Sequence, residues 1–179
     1  MTLLPELMPF NHLLAEDSRA HLTFAPRRGT LTESQIKDQL KGRLNGNKFG
    51  SNHNLILGLF LHWHDHEELA HNLAQDDLSN NGSLLHAIIH RREPDAFNAK
   101  YWFKKTGLHP IFPQLREKVA GIYPDAAKSE IIKLTKAASW DPFYFVDLCE
   151  LQRKNPEIMD CLEQIQCLEM QLFLSHLLN

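Results

Sequence analysis

Cysteine is scarce in this chain of 179 residues, and the sequence signatures of secreted and membrane-spanning proteins are missing. Its three cysteines, Cys149, Cys161 and Cys167, form no Cys-x-x-Cys pair, and an odd number argues against a disulfide framework. The first ten residues lack the basic start of a signal peptide. No later segment reaches the ~20 apolar residues that span a bilayer. We therefore expect a soluble, cytoplasmic protein whose thiols are reduced and packed.

Patterns typical of strands and of several enzyme classes are also missing. The chain shows no sustained apolar-polar alternation, no glycine-rich phosphate loop and no GxSxG elbow. A net charge of −3 gives no general attraction to nucleic acids or anionic membranes. One local exception is the segment 27–48, which carries six basic residues against Glu33 and Asp38. A solvated amphipathic helix is the favoured interpretation there, and weak nucleic-acid contact is the alternative.

Helical signals recur along the rest of the chain. They predict an all-α fold of about eight or nine helices, with residues 1–30 as an irregular N-terminal arm and residues 31–179 as one helical domain. One short helix is predicted within the arm, over residues 11–20. The predicted helices of the domain cover residues 32–44, 53–64, 66–76, 82–92, 96–106, 113–120, 126–138, 142 onward and 156 to near the C-terminus. The helix over 53–64 is apolar nearly all round, which predicts a buried central position. Gly58 within it would permit close approach of a neighbouring helix.

Capping residues and prolines set most of these boundaries. Helix starts are predicted from capping side chains or from an N-cap residue followed by proline, at Thr32 with Gln35, Asp65 with Glu68, Gly82 or Ser83, Asp95, Asp141-Pro142 and Asn155-Pro156. Helix ends are predicted at Glu93, because a residue before proline is pushed out of the α region, and at Gly107. The apolar end of the last helix, LFLSHLL, could close the core or pair two subunits in a homodimer.

The central part of the chain contains a weak internal repeat. LFLHWHDHEELAHNLAQ aligns with AIIHRREPDAFNAKYWFKK at an offset of about 28 or 29 residues, so that His62 falls on His90, Asp65 on Glu93 and Ala70 on Ala99. Each copy is a helix, a polar turn and a second helix with a small residue inside it. The second copy resembles a helix of tetratricopeptide or Sel1-like repeats. That resemblance implies two tetratricopeptide-like hairpins, which the remaining helices would have to cap.

A closer resemblance covers roughly residues 55–115. The run HAIIHRREPDAFNAKYWFKKTGLHPIF, preceded by His-Asp and by LAHNLAQ, resembles a family of uncharacterised bacterial and fungal proteins with a HAI-HRRE-D-NAKYW-HP pattern. The matching positions are His64, Asp65, His71, His86, His90, Arg91, Arg92, Glu93, Asp95, Asn98, Ala99, Lys100, Tyr101, Trp102, His109 and Pro110. The resemblance implies a shared fold and a shared site, and it supplies no reaction.

Histidine is the compositional outlier, with 11 residues in the chain. His86 and His90, at positions i and i+4, share one face of a helix, which is the spacing that lets two imidazoles bind one metal ion. His71 and His109 are the candidates that would complete a site for zinc, iron or manganese. Because HxxxH lacks the general base of an HExxH motif, Glu93 is the candidate substitute if folding brings it near.

His64-Asp65 also invites comparison with the His-Asp pair of metal phosphohydrolases. In this chain Asp65 is better explained as a helix cap. His64 falls on a buried side of its helix and is better explained as a hydrogen-bonded core histidine.

Three cations lie near apolar arcs of their helices. Arg91 and Arg92 either form a network between the hairpins or offer a fork to a small anionic ligand. The candidate carboxylates of that network are Asp65, Glu67 and Asp95. Lys100 is placed between Ala96, Phe97 and Phe103 on its helix. Phe97, Tyr101, Trp102 and Phe103 are expected in the core, although the hydroxyl of Tyr101 could reach a pocket.

These residues support two hypotheses of different classes. The first is a binding protein for a protein partner or a small anionic ligand, with a groove formed by His86, His90, Arg91, Arg92, Glu93, Lys100 and Tyr101. The second is a metal-dependent hydrolase that uses His71, His86, His90 and His109.

Overall fold

The structure, a computed structural model, describes residues 3–14, 20–22, 29–43, 52–123 and 129–179. Within these ranges the protein is all-α and contains no strand. A 3-10 helix spans Pro5–Phe10, and the α-helices are α1 (Glu33–Leu40), α2 (His53–Trp63), α3 (Glu67–Gln75), α4 (Asn80–Arg92), α5 (Ala96–Thr106), α6 (Ile111–Ile122), α7 (Ser129–Lys136), α8 (Pro142–Leu151) and α9 (Pro156–Leu178). The all-α prediction is confirmed.

Two consecutive helical hairpins carry His71, His86 and His90. Helix α2 packs on α3 and α4 packs on α5, while the contact between α3 and α4 joins the two hairpins. Gly58 of α2 lies where an added Cβ would be 3.0 Å from Leu85 Cδ2 of α4. The absence of a side chain there lets α2 and α4 approach closely, as the sequence predicts.

Helix α9 is the longest helix and runs through the interior. It contacts α2, α6 and the N-terminal 3-10 helix. Its last residues, Leu172, Phe173, Leu174 and Leu177, are buried within the chain, so they close the core. The three cysteines are free and buried, as expected. None of the helices in the described ranges is long and apolar enough to cross a membrane.

Most boundaries in the second hairpin are where the sequence predicts them. Helix α4 ends at Arg92, and Glu93 is extended (φ −61°, ψ 138°) in front of Pro94. Asp95 caps α5, and Gly107 ends it at φ 64°, in the left-handed region that favours glycine. Thr32 and Gln35 form the predicted capping box on α1, which ends at Leu40, four residues earlier than predicted.

The predicted cap at Asp65 is wrong. Helix α3 begins at Glu67, with His66 in the capping position, and Asp65 lies in the turn with φ 69°. Its carboxylate accepts a hydrogen bond from Arg92 and is not available to the backbone of α3. The pairing explains how a residue without the freedom of glycine is held in the left-handed region.

The predicted start of α4 at Gly82 or Ser83 is also wrong. The helix begins at Asn80, because the side chain of Ser79 accepts a hydrogen bond from the Gly82 backbone N–H at 3.1 Å. Gly82 has a packing role, since an added Cβ would lie 2.1 Å from the carbonyl oxygen of Asp77.

The remaining boundaries deviate in smaller ways. Asp141 caps α8 through hydrogen bonds from Phe143 N and Tyr144 N, as predicted, whereas Asn155 makes no side-chain cap on α9. Helix α6 is longer than predicted at both ends. In the arm, the predicted helix over 11–20 is a turn as far as residue 14, and 15–19 lie outside the described residues. Leu7, Leu13 and Leu22 of the arm are fully or almost fully buried.

The expectation that all four aromatic residues of α5 lie in the core is wrong for two of them. Phe103 is buried, but Phe97 is 82% exposed and Tyr101 is 47% exposed. Ala99, Phe103 and Thr106 form the buried face of α5, and Phe97 and Tyr101 lie outside it. Trp102 is half-buried at the boundary between the two faces.

Replacing Asp95 tests the start of α5. Asp95 Oδ1 accepts a hydrogen bond from the Asn98 backbone N–H at 3.1 Å, and this bond lowers the pKa of the carboxyl group. We expect Asp95→Ala to reduce the free energy of unfolding by about 0.5–2 kcal/mol, measured by urea denaturation. Asp95→Asn is the matched control, because asparagine caps equally well. An alanine variant as stable as the wild type would contradict the assigned boundary.

Candidate metal centre

Three histidines from the two hairpins meet at one point. His71 projects from α3, and His86 and His90 project from successive turns of α4. One nitrogen of each ring lies within 4.8 Å of the others, and the Nε2 atoms of His71 and His86 are 2.8 Å apart. The structure therefore brings together three of the four histidines considered as metal ligands.

The rings are held by stacking. The imidazoles of His86 and His90 are nearly parallel, at 16° and 4.8 Å between centroids, because residues four apart lie one above the other on a helix. His71 approaches both rings edge-on. The other face of His86 is covered by the indole of Trp102, 3.9 Å away between centroids. Helix α5 thereby fixes the plane of the His86 ring.

The environment favours the neutral imidazole at His71 and His86. Burial, together with the nearby His71, His90 and Lys105, lowers the pKa of His86 to about 3. Burial and the proximity of His90 also lower the pKa of His71, which is half-buried. A metal ligand must be the neutral imidazole, so these rings are in the ligating form at neutral pH without losing a proton.

The distances suit a single ion. With Zn–N bonds of about 2.0–2.1 Å, tetrahedral coordination places ligand nitrogens roughly 3.3 Å apart. The observed separations, from 2.8 Å to at most 4.8 Å, bracket that value. In addition, Nδ1 of His86 is buried and has no hydrogen-bond partner. The donor set is entirely nitrogen, which suits zinc, copper, iron and nickel better than magnesium or calcium.

Glu93 lies beside this cluster. Its Oε2 is 2.9 Å from Nδ1 of His90, one turn back along α4. The sequence alone does not determine whether Glu93 lies near the histidines. Folding places it against one of the three rings.

His109 lies elsewhere. Its Nε2 is 2.9 Å from Asn81 Oδ1, and its ring contacts Phe173 and His176 of α9. Burial and His176 lower its pKa to about 4. The structure does not bring His109 to the other three histidines, because the turn after Gly107 directs it toward α9.

Arg91 is buried in the interior. Its Nη2 donates to Glu169 at 2.5 Å and to Gln166 at 3.2 Å, both on α9, and its guanidinium lies over the ring of Phe145 at 4.4 Å. Arg91 and Glu169 have no exposed side-chain surface. The guanidinium is thus enclosed between α8 and α9 and does not belong to the three-histidine cluster.

Arg92 joins the two hairpin turns. It donates to the carboxylates of Asp65 and Glu67 and, through Nε, to the carbonyl oxygen of His21 at 2.6 Å. Lys100 and Tyr101 of the predicted groove lie on the outer side of α5, where Lys100 pairs with Asp147 of α8. The residues of the predicted groove are thus distributed over three different surroundings.

The His64-Asp65 pair has structural roles. Nδ1 of His64 accepts a hydrogen bond from Leu31 N at 3.1 Å, so Nε2 carries the proton and donates to the carbonyl oxygen of Leu13 at 3.0 Å. This confirms the interpretation of His64 as a hydrogen-bonded core histidine. Asp65 pairs with Arg92, so neither residue faces the three-histidine cluster.

Sequence reasoning missed two parts of this arrangement. It assigned Trp102 to the core without relating it to His86, and it did not find the partners of Arg91. A sequence signal for the partners of Arg91 exists, since Gln166 and Glu169 are polar residues three positions apart and therefore share one face of α9.

Comparison of the chain with protein-family models, with curated proteins and with solved structures gives no match in any of the three. The chemistry of the site must therefore be argued from its own residues.

Proposed function

We propose that this protein binds one divalent transition-metal ion through His71, His86 and His90 and is a metal-dependent hydrolase. The observation that supports the proposal is the convergence of three imidazole nitrogens within 4.8 Å from two different helices. Two histidines on one helix face are common, but a third from a neighbouring hairpin at ligand distance is a specific arrangement. A bound ion would supply Lewis-acid catalysis for hydrolysis.

The number of ligands favours a reactive centre over a structural one. Structural zinc sites have four protein ligands, whereas catalytic sites have three and leave one position to water or substrate. The cluster contains three such groups among the described residues. His71 is half-buried, so the site is reached from the α3 side, while Trp102 covers the α5 side.

Zinc is the preferred ion, and iron is the next choice. Imidazole suits zinc, copper, iron and nickel, whereas manganese prefers oxygen ligands. Of zinc, iron and manganese, manganese fits the three nitrogens least well. The resemblance to the HAI-HRRE-D-NAKYW-HP family is consistent with the proposal, because all three ligands fall on its matching positions.

Metal analysis tests the proposal. We expect the protein, purified without chelator, to contain about one zinc or iron ion per chain, because each site has one set of three ligands. His71→Ala should reduce the metal content to near zero, since it removes one ligand without disturbing a fully buried position. The measurement is elemental analysis by mass spectrometry, followed by zinc titration of the chelator-treated protein. Hydrolysis of p-nitrophenyl acetate and bis-p-nitrophenyl phosphate should require the ion and be lost in the same variant.

His53→Ala is the matched control, because His53 is an exposed histidine at the start of α2 that lies outside the cluster. It should retain both metal and activity. Wild-type protein without stoichiometric metal, and without response to added zinc, would contradict the metal centre. Metal binding without hydrolysis of either ester would contradict the hydrolase assignment alone.

A binding protein built on tetratricopeptide-like hairpins is the second candidate. It is favoured by a cleft of about 480 Å³ near the α5–α8 contact, lined by Phe103, Phe112 and Trp140 among others, and by the exposed ring of Phe97 on α5. A protein partner or a small ligand could be held there without the histidines. Such binding should be the same in His71→Ala as in the wild type. A homodimer formed through α9 stays a prediction.

A further inference from the structure

The turn that ends α4 places a carboxylate against one metal-binding histidine. Pro94 holds Glu93 in the extended conformation (φ −61°, ψ 138°), while the Glu93 backbone N–H still donates to Ile89 O at 3.1 Å. The side chain turns back along the helix, and its Oε2 lies 2.9 Å from Nδ1 of His90. The proline turn therefore ends α4 and also places the Glu93 carboxylate against His90.

This contact decides which nitrogen of His90 is available. An ionised carboxylate only accepts hydrogen bonds, so Nδ1 of His90 must carry the proton and donate it. In the neutral ring, Nε2 is then the nitrogen with the free lone pair. In metalloproteins a carboxylate that accepts a hydrogen bond from a ligating histidine fixes the tautomer and the orientation of the ring.

The first hairpin offers a comparison within the same molecule. His62, which aligns with His90 in the sequence repeat, also has its Nδ1 held by a glutamate, Glu67, at 2.7 Å. His62 is fully buried and does not belong to the three-histidine cluster. A glutamate bound to histidine is therefore not a metal site in itself. His90 differs because His71 and His86 lie 5.2 and 4.8 Å away between ring centroids.

We propose that Glu93 is a positioning residue of the metal centre: by accepting a hydrogen bond from Nδ1–H of His90 it presents Nε2 as the third ligand. The inference rests on the proposed metal site, and it deepens that proposal by adding Glu93-Pro94 to the residues that build the site. Glu93 itself is an outer partner and not a ligand.

Two measurements on Glu93→Ala test the inference. In the metal-free protein, long-range nitrogen-proton NMR of the histidine rings should show His90 with the proton on Nδ1. The alanine variant should lose this preference and populate the Nε2–H form. The affinity for zinc, measured by competition with a chelator, should fall about 10–100-fold. Glu93→Gln should keep the tautomer, because an amide oxygen also accepts, and should lose less affinity than the alanine variant.

Glu117→Ala is the matched control for loss of one negative charge, since Glu117 is exposed on α6, which packs on α7 and α9. Its zinc affinity should equal that of the wild type. An alanine variant of Glu93 with an unchanged tautomer, or with affinity within twofold of the wild type, would overturn the inference and leave the three-histidine site intact. Failure of the wild type to bind zinc would overturn both. If Glu93→Ala does not fold, the Glu93→Gln variant provides the test. A Glu93→Gln protein that binds zinc as tightly as the wild type while His90 carries its proton on Nε2 would contradict the proposed role of Glu93.

Discussion

Arg92→Ala is expected to lower the free energy of unfolding by about 3–5 kcal/mol, which is the usual cost of removing one member of a buried ion pair. The guanidinium is 1% exposed and binds the carboxylates of Asp65 and Glu67 and the carbonyl oxygen of His21. Its removal leaves Glu67 largely buried without its cation, and it releases Asp65 from the left-handed conformation that the pairing holds. Urea denaturation of the metal-free protein is the measurement.

The comparison variant is Lys37→Ala. Lys37 pairs with Glu33 on the exposed surface of α1, where an ion pair contributes little to stability. The two variants differ both in burial and in the number of partners, because Lys37 pairs with one exposed carboxylate, whereas the buried Arg92 binds two carboxylates and a carbonyl oxygen. A loss below about 1 kcal/mol in Arg92→Ala would show that water replaces the guanidinium and that the network does not hold the two hairpin turns together.

Local chemistry made much of the second hairpin predictable. The end of α4 at Glu93-Pro94, the cap at Asp95 and the glycine at 107 each depend on the backbone of two or three neighbouring residues. Such boundaries can be read without knowledge of the rest of the molecule. The apolar character of α2 likewise predicts its burial whichever helices surround it.

Boundaries and burial that depend on distant residues could not be predicted in this way. Asp65 is a good capping residue by type, but Arg92, 27 positions later, binds its side chain. Phe97 and Phe103 are equally apolar, and only the packing of α5 on α4 and α8 decides that Phe103 is inside. A helical wheel orders residues around a helix without showing which arc the neighbouring helices cover.

The candidate site likewise contains one part that local sequence predicts and another that depends on distant residues. The spacing of His86 and His90 on one helix is enough to pair them. To place His71 beside these two residues, one must also predict that α3 packs on α4, and the internal repeat supports that packing. His109 lies outside the cluster because its position depends on the turn after α5 and on the contact with α9, neither of which the spacing of histidines encodes.

Acid should destabilise the metal-free protein well above the pH at which carboxylates titrate. The ordinary histidine pKa is 6.5, and burial lowers it to about 3 for His86 and to about 4 for His109. Between pH 6.5 and these values the unfolded chain binds protons that the folded chain does not, so stability is fully present above pH 6.5 and falls as the pH decreases. Each histidine contributes a slope of about 1.4 kcal/mol per pH unit, or roughly 4 kcal/mol for the pair between pH 6.5 and 5.

The test is the free energy of unfolding in urea at pH 7, 6.5, 6, 5.5 and 5, with EDTA present so that metal does not compete with protons. His109→Gln is the informative variant, because it removes one titrating group that lies outside the metal centre. Its stability should fall less steeply than that of the wild type, by about 1.4 kcal/mol per pH unit, since His71 and His86 still resist protonation in the folded state. Equal slopes in the two proteins would mean that His109 accepts a proton while folded, through movement of the α5–α6 turn away from His176. A wild-type stability independent of pH would show that the three-histidine cluster opens to water and takes up protons without unfolding, which would also remove the basis for its neutral, ligating form.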